Sequence, residues 1–323
     1  MGMRGFKGFE KDFSCRGKQY EENTTYEEHG VGCCHKGVMH FCEDPWEVLN
    51  HYDLVDENGD FYEFAEVEAL GPVWNDGEKR ATNKIHIGAK LGFKGFLKAC
   101  INFTLEKTKY ESNGTNSSGD YAQIGSSGNY AQIGSSGDYA KIGSSGYSAQ
   151  IGSSGNSAKI GSSGYYAQIG SSGNSAQIGS SGNSAQIGSS GNSAQIGSSG
   201  YSAQIGSSGN SAQIGSSGNY AQIGSSGNYA QIGSSGYSAQ IGSSGNYAQI
   251  NSTGEDAVIM CAGSGSKAKA KKGSWITLAE WVEDEEKGRY VPVCVKTEYV
   301  DGEKIKEDTY YTLKSGEFVE VEE

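Results

Sequence analysis

A nine-residue period running from Gly119 to about Ala262 constrains this chain more than any other feature. The commonest unit reads Gly-Asn-Ser-Ala-Gln-Ile-Gly-Ser-Ser, and isoleucine returns every nine residues from Ile124 through Ile250, with a degenerate copy at Ile259. A strict short period marks a stacked architecture in which each unit buries its apolar side chain only against its neighbours. Ala158 and Ile160 are two apart, so on a strand both face one way, while Ser157 and Lys159 face the other. The Gly-Ser-Ser-Gly segment reads as turn chemistry, with glycine expected to supply positive φ. The expectation is a parallel β-solenoid with an Ala/Ile interior and a polar skin. A disordered Gly/Ser linker has no reason to place isoleucine and alanine so regularly.

The substitutions within the repeat set the size of one coil. The slot after the unit's first glycine is usually Asn, but it is Tyr at Tyr147, Tyr165, Tyr201 and Tyr237, separated by 18, 36 and 36 residues. Lys141 and Lys159 lie 18 apart, as do Asp120 and Asp138. All are multiples of two repeats, so a coil of 18 residues puts each set on one side, whereas a 27-residue coil scatters them. Sixteen repeats then make eight coils, a rod of roughly 40 Å at about 4.8 Å per strand spacing. Tyr147, Tyr165, Tyr201 and Tyr237 become an aromatic strip on one edge, and hence the candidate contact surface for a protein partner or a second copy.

Charge narrows the function classes. The chain carries −12, but residues 119–250 hold only two Asp and two Lys. Residues 1–118 carry 14 Lys+Arg against 20 Asp+Glu, and 251–323 carry 10 against 16. A neutral rod argues against nucleic-acid binding. No run of 18 apolar residues exists, so no membrane span is expected. Met1–Glu10 lacks the apolar core of a signal peptide, and seven cysteines without one favour a reducing cytoplasm.

The domain reading is a mixed α/β domain over 1–112, the solenoid over 113–265, and a C-terminal antiparallel β meander over 266–323. In the first, Asp44-Pro45-Trp46-Glu47 is a helix start with Asp44 as N-cap. Phe64–Leu70 and Asn83–Ile87 alternate as strands, and Phe93, Phe96, Leu97, Cys100, Ile101 and Leu105 follow helical spacing over about 90–106, the alternative being that the last of these apolar residues form a first strand capping the rod. Asp56–Asp60 reads as a turn, because an EF-hand started at Asp53 or Asp56 meets Phe64 or Val67 where a ligand Glu belongs. In the last, Trp275–Val282, Tyr290–Tyr299, Tyr310–Leu313 and Phe318–Val321 are four strands. Lys267, Lys269, Lys271 and Lys272 alternate with Ala268 and Ala270, so most share one strand face, expected to be solvated.

One constellation has the donors for metal chemistry. Cys15, Cys34, His40 and Cys42 could supply the four soft ligands of a structural zinc, although their spacing is not that of a zinc ribbon. The bland alternative is that reduced cysteines are buried as small hydrophobes and no cofactor is held. A Cys nucleophile with a His partner is a further possibility without a visible oxyanion site.

Gly5-Phe6-Lys7-Gly8-Phe9, Cys15-Arg16-Gly17-Lys18-Gln19-Tyr20-Glu21, His40-Phe41-Cys42-Glu43-Asp44-Pro45 and Leu49-Asn50-His51-Tyr52 together resemble an uncharacterised family of phages, prophages and gut bacteria. That resemblance implies an N-terminal domain, a variable Ser/Ala/Gly repeat array and a closing segment like Asp308-Thr309-Tyr310-Tyr311-Thr312-Leu313. The chain departs from the family at Val38-Met39, where a single aromatic residue is usual. The repeats also resemble the Ser-x-Ala-Ile-Gly units of trimeric autotransporter adhesin heads, with a different period. Neither resemblance implies a settled activity. The sequence therefore points to a non-enzymatic structural or interaction protein in a host cytoplasm. The alternative is an enzymatic or zinc-bound N-terminal domain with the solenoid as spacer.

Overall fold

Residues two apart on an extended strand share a face, and in the computed structural model Ala158, Ile160 and Ser162 share the inner one, all with 0% exposure. The structure describes residues 2–33, 35–56, 59–108, 110–111 and 116–321. The chain divides into two compact units, Met1–Leu54 with Phe61–Phe103, and Val55–Asp60 with Thr104–Glu323.

The second unit contains the solenoid. Four-residue strands such as Gln177–Ser180 and Gln186–Ser189 alternate between two sheets, of 12 and 11 strands among the described residues. Each strand pairs in parallel with the one 18 residues on: Ile142 faces Ile160 in one sheet, and Ile151 faces Ile169 in the other. The two-repeat coil is thus observed. About nine coils form rather than eight. Irregular strands extend the ladder at both ends, Asn116–Ser117 before the isoleucine run and Lys267–Ala270 after it. The interior is a continuous column of Ile, with Ala at its sides.

Two details of the turn differ from the sequence reading. The first serine after each isoleucine belongs to the strand and points inward, so Ser144, Ser162 and Ser180 are fully buried. The positive φ also belongs to the unit's third residue rather than to glycine, with Ser175 at 55°, Ser193 at 54° and Tyr229 at 58°. Glycine is required at the corner for another reason. A Cβ on Gly191 would lie 2.0 Å from the Gly173 carbonyl oxygen, and one on Gly209 would lie 1.9 Å from that of Gly191. Coils stack backbone on backbone there, and no side chain fits.

The last coils depart from the repeat. Asn251 and Lys269 take the outward row that holds Gly233 one coil earlier. Both are buried. Asn251 Nδ2 donates to Asp60 Oδ1 at 2.9 Å, and Lys269 Nζ donates to Asp60 Oδ2 at 3.2 Å and lies 4.7 Å from the Tyr310 ring centre. The solvated lysine face expected from sequence is therefore corrected at Lys269. Within the Asp56–Asp60 turn, Gly59 N–H donates to Asp56 O at 2.9 Å; Asn58 lies outside the described residues.

The four expected C-terminal strands form as two hairpins, Trp275–Asp284 with Arg289–Tyr299 and Tyr310–Lys314 with Glu317–Val321. This antiparallel closure extends both solenoid sheets: the first hairpin continues one through Val258 and Trp275, the second continues the other through Ala268 and Tyr311. Their apolar residues Ile276, Leu278, Val300, Ile305, Tyr311 and Leu313 prolong the solenoid core.

The first unit is a seven-stranded antiparallel sheet. Its spatial order is Thr24–Glu27, Lys84–Lys90, Glu63–Ala69, Met3–Phe9, Met39–Cys42, Lys79–Thr82 and Val73–Asp76. Asp44 caps the short helix Pro45–Val48, accepting from Trp46 N–H at 3.0 Å. The expected long helix forms over Gly92–Lys107. Its Phe96 ring stacks on Phe64 with centroids 3.7 Å apart.

Two mutational outcomes follow. Ile187, only 3% exposed, sits between Ile169 and Ile205. Ile187→Asp is expected to destabilise by about 4 kcal/mol or more, since a charge is buried without a partner. Gln186→Lys, on the outer face, should stay within about 0.5 kcal/mol of the parent. Equal thermal midpoints for the two variants would refute the inward isoleucine. Lys269→Met leaves the buried Asp60 carboxylate without its cation and is expected to cost about 3–5 kcal/mol. Lys272→Met, at an exposed position, serves as the control, and the comparison is read by thermal melting.

Candidate functional site

The slot after the corner glycine has a structural occupant, and its exceptions are therefore informative. On the edge preceding the Ile142 sheet, Asn174 Oδ1 accepts the Asn192 N–H and Asn192 Oδ1 accepts the Asn210 N–H, both at 2.9 Å. Asp120 and Asp138 open this ladder with the same bond, Asp138 N–H to Asp120 Oδ1 at 2.9 Å. Each side chain thus satisfies a backbone donor of the next coil. A tyrosine ring cannot repeat that bond.

All four slot tyrosines fall on the other edge, before the sheet of Ile151, Ile169, Ile205 and Ile241. Tyr147 and Tyr165, in adjacent coils, stack with ring centroids 6.2 Å apart and planes 17° from parallel. Their spacing exceeds one strand separation, and Tyr166 packs edge-on against Tyr147 at 5.4 Å. A second group forms where Tyr220 stands 5.2 Å from Tyr201 and 5.0 Å from Tyr237. The slot tyrosines are 42–50% exposed. Tyr166 and Tyr220 were missed because they sit one residue beyond the slot, although their spacing from it is again a near-multiple of 18. The opposite edge is aromatic only towards its ends, with the stacked pairs Tyr121–Tyr139 and Tyr229–Tyr247.

The same sheet has an open outer surface, a groove of about 1340 Å³ running along it. Glycines such as Gly152, Gly170 and Gly188 floor the groove, and a Cβ on any of them would meet nothing within 4 Å. Val258, Met260 and Trp275, each about half exposed, continue this face towards the C-terminal hairpin.

The first unit encloses a separate cavity of about 440 Å³. Cys15 lies on its wall, accepting from Lys7 Nζ at 3.3 Å and from Tyr52 Oη at 2.9 Å. Lys7 reaches inward from Met3–Phe9 and also donates to His40 O at 3.2 Å. Burial holds its amine below the ordinary lysine range, and the Arg16 guanidinium adds to that effect. Burial and the neighbouring charges of Lys7, Arg16 and Lys79 hold His40 towards its neutral form, and its Nε2 is buried without a hydrogen-bond partner. His51 is likewise lowered by burial, then by Lys79. Arg16 and Gly17, at φ 52° and 77°, make the tight turn that joins Ser14–Cys15 to Lys18–Gln19.

Of the four zinc candidates, Cys15, His40 and Cys42 border this one cavity, and Cys34 lies outside the described residues. Among the described residues no group of three or more His, Cys, Asp or Glu is placed to hold a metal ion. Cys15 is occupied by Lys7 and Tyr52, and burial pushes the Cys42 thiol up to about 12. Elemental analysis of purified protein tests the zinc set: about one zinc per chain, with chelation lowering the melting temperature, is the outcome if Cys15, Cys34, His40 and Cys42 hold the ion, and metal-free protein of unchanged stability removes the idea.

Among the described residues no helix is long and apolar enough to cross a membrane. No curated protein and no solved structure matches this chain. Its N-terminal stretch, residues 3–99, is similar to the domain of unknown function DUF7666, whose model matches it.

Proposed function

We propose that this chain is a non-enzymatic interaction scaffold, phage- or prophage-borne and working in a host cytoplasm. Its solenoid displays a tyrosine-bearing edge to a protein partner. The observation that carries this reading is the placement of Tyr147, Tyr165, Tyr201 and Tyr237 in a slot where Asn otherwise bonds the next coil. Each tyrosine gives up a ladder bond worth about 1 kcal/mol and exposes an aromatic ring in return. Clustered exposed tyrosines are the usual anchors of protein interfaces, and the neutral rod beside them leaves association to aromatic contact rather than to charge.

Replacing the four tyrosines together with Asn restores the regular ladder, so the variant is expected to fold with an unchanged or higher melting temperature. Its capture of the partner from bacterial lysate should fall about ten-fold or more relative to the parent chain. Equal capture by both would remove the tyrosine edge from the interface.

A second reading, in which the first unit is the working part and the solenoid its spacer, is favoured by the cavity around Lys7, Cys15 and Tyr52.

A further inference from the structure

The cavity of the first unit gathers cations that the rest of that region does not. Residues 1–118 carry more acid than base, 14 Lys+Arg against 20 Asp+Glu. Yet Lys7, Arg16, Lys18, Lys36 and Lys79 all border this one cavity, and Glu28 is the single carboxylate among its lining residues. Glu28 is already bound by Lys18. The remaining four basic side chains face a space of about 440 Å³ with no carboxylate of their own in its wall. Two observations mark the space as built for a ligand. Lys7 is a basic side chain only 6% exposed, its Nζ held at the cavity wall by Cys15 Sγ and the His40 carbonyl, and lysine is seldom buried so fully. The Nε2 atom of His40 is buried without a partner, and such orphaned atoms need a reason.

We propose that this cavity binds a small phosphate-bearing ligand, either free phosphate or a metabolite phosphate monoester, with Arg16 and Lys79 at its mouth and Lys7 on its wall. A phosphate carries about −1.5 to −2 at neutral pH, which matches several basic side chains with no carboxylate of their own in the cavity wall better than a monocarboxylate does. The guanidinium fork of Arg16 suits phosphate oxygens in two-point contact. Tyr20 and Phe41, also in the lining, offer ring surface to whatever the phosphate is attached to. The small volume and the surrounding acid exclude a nucleic-acid backbone. This site rests on the cavity alone and is independent of the tyrosine edge.

The test is isothermal titration of the full chain with inorganic phosphate and with glycerol 3-phosphate, against acetate and against sodium chloride at matched ionic strength. Saturable binding of at least one phosphate probe is expected, with neither acetate nor chloride binding. Tighter binding of glycerol 3-phosphate would identify a monoester as the ligand, and tighter inorganic phosphate the free ion. Arg16→Gly removes the guanidinium while relieving the left-handed backbone, so it should keep or raise the melting temperature and weaken phosphate binding about ten-fold or more. Lys79→Ala should weaken it similarly, and Lys287→Ala, in the exposed turn of the C-terminal hairpin, should not. Absence of saturable binding by both phosphate probes would overturn the proposal, as would binding that Arg16→Gly and Lys79→Ala leave unchanged.

Discussion

The backbone of one coil lies so close to the next at the corner glycines that a single methyl group could not be added. At Gly182 the missing Cβ would stand 1.8 Å from the Gly164 carbonyl oxygen. That approach fixes the 18-residue register, because slipping by one residue would bring a side chain into the contact and turn the isoleucines outward. The left-handed residue two positions later, the inward Ala, Ile and Ser, and the outward Gln all follow from where this corner places the chain. Gln177 and Gln195 then bond along the rod, Nε2 to Oε1 at 3.1 Å, so the outer surface is laddered as well.

Such uniformity makes departures meaningful. A repeat in which local preference and stacking agree gains nothing from an exception unless the exception does something else. Asn251 and Lys269 replace the outward glycine only where Asp60 packs against the rod. The slot tyrosines interrupt the amide ladder on one edge only, while the opposite edge keeps it unbroken from Asp120 to the Ser264 N–H. Both exceptions contribute contacts that a perfect repeat could not make.

The first unit follows a different logic. Its sheet places Met3–Phe9 between Glu63–Ala69 and Met39–Cys42, so Lys7 arrives beside the backbone of His40 and the thiol of Cys15. Five basic residues spread from position 7 to position 79 meet around one space, although the surrounding chain is acidic. Local charge in a cavity is set by which strands are neighbours, and the net charge of the chain says little about it.

The period of nine and the 18-residue spacing of Tyr, Lys and Asp by themselves determined the solenoid, its two-repeat coil and the shared edge of Tyr147, Tyr165, Tyr201 and Tyr237. In a stacked repeat, sequence distance along the chain is spatial distance along the rod, so pattern alone suffices. The helix over Gly92–Lys107 and its buried face were legible for the same reason, a local periodicity. The true owner of the positive φ, the buried Lys269 and the cavity around Lys7, Cys15, Arg16, Tyr52 and Lys79 were not legible. A glycine that is small for close approach reads the same in sequence as one that is small for a left-handed turn. Residues 191 and 209 positions apart, as Asn251 and Lys269 are from Asp60, meet only because the folded backbone brings them together, and no local pattern records that meeting.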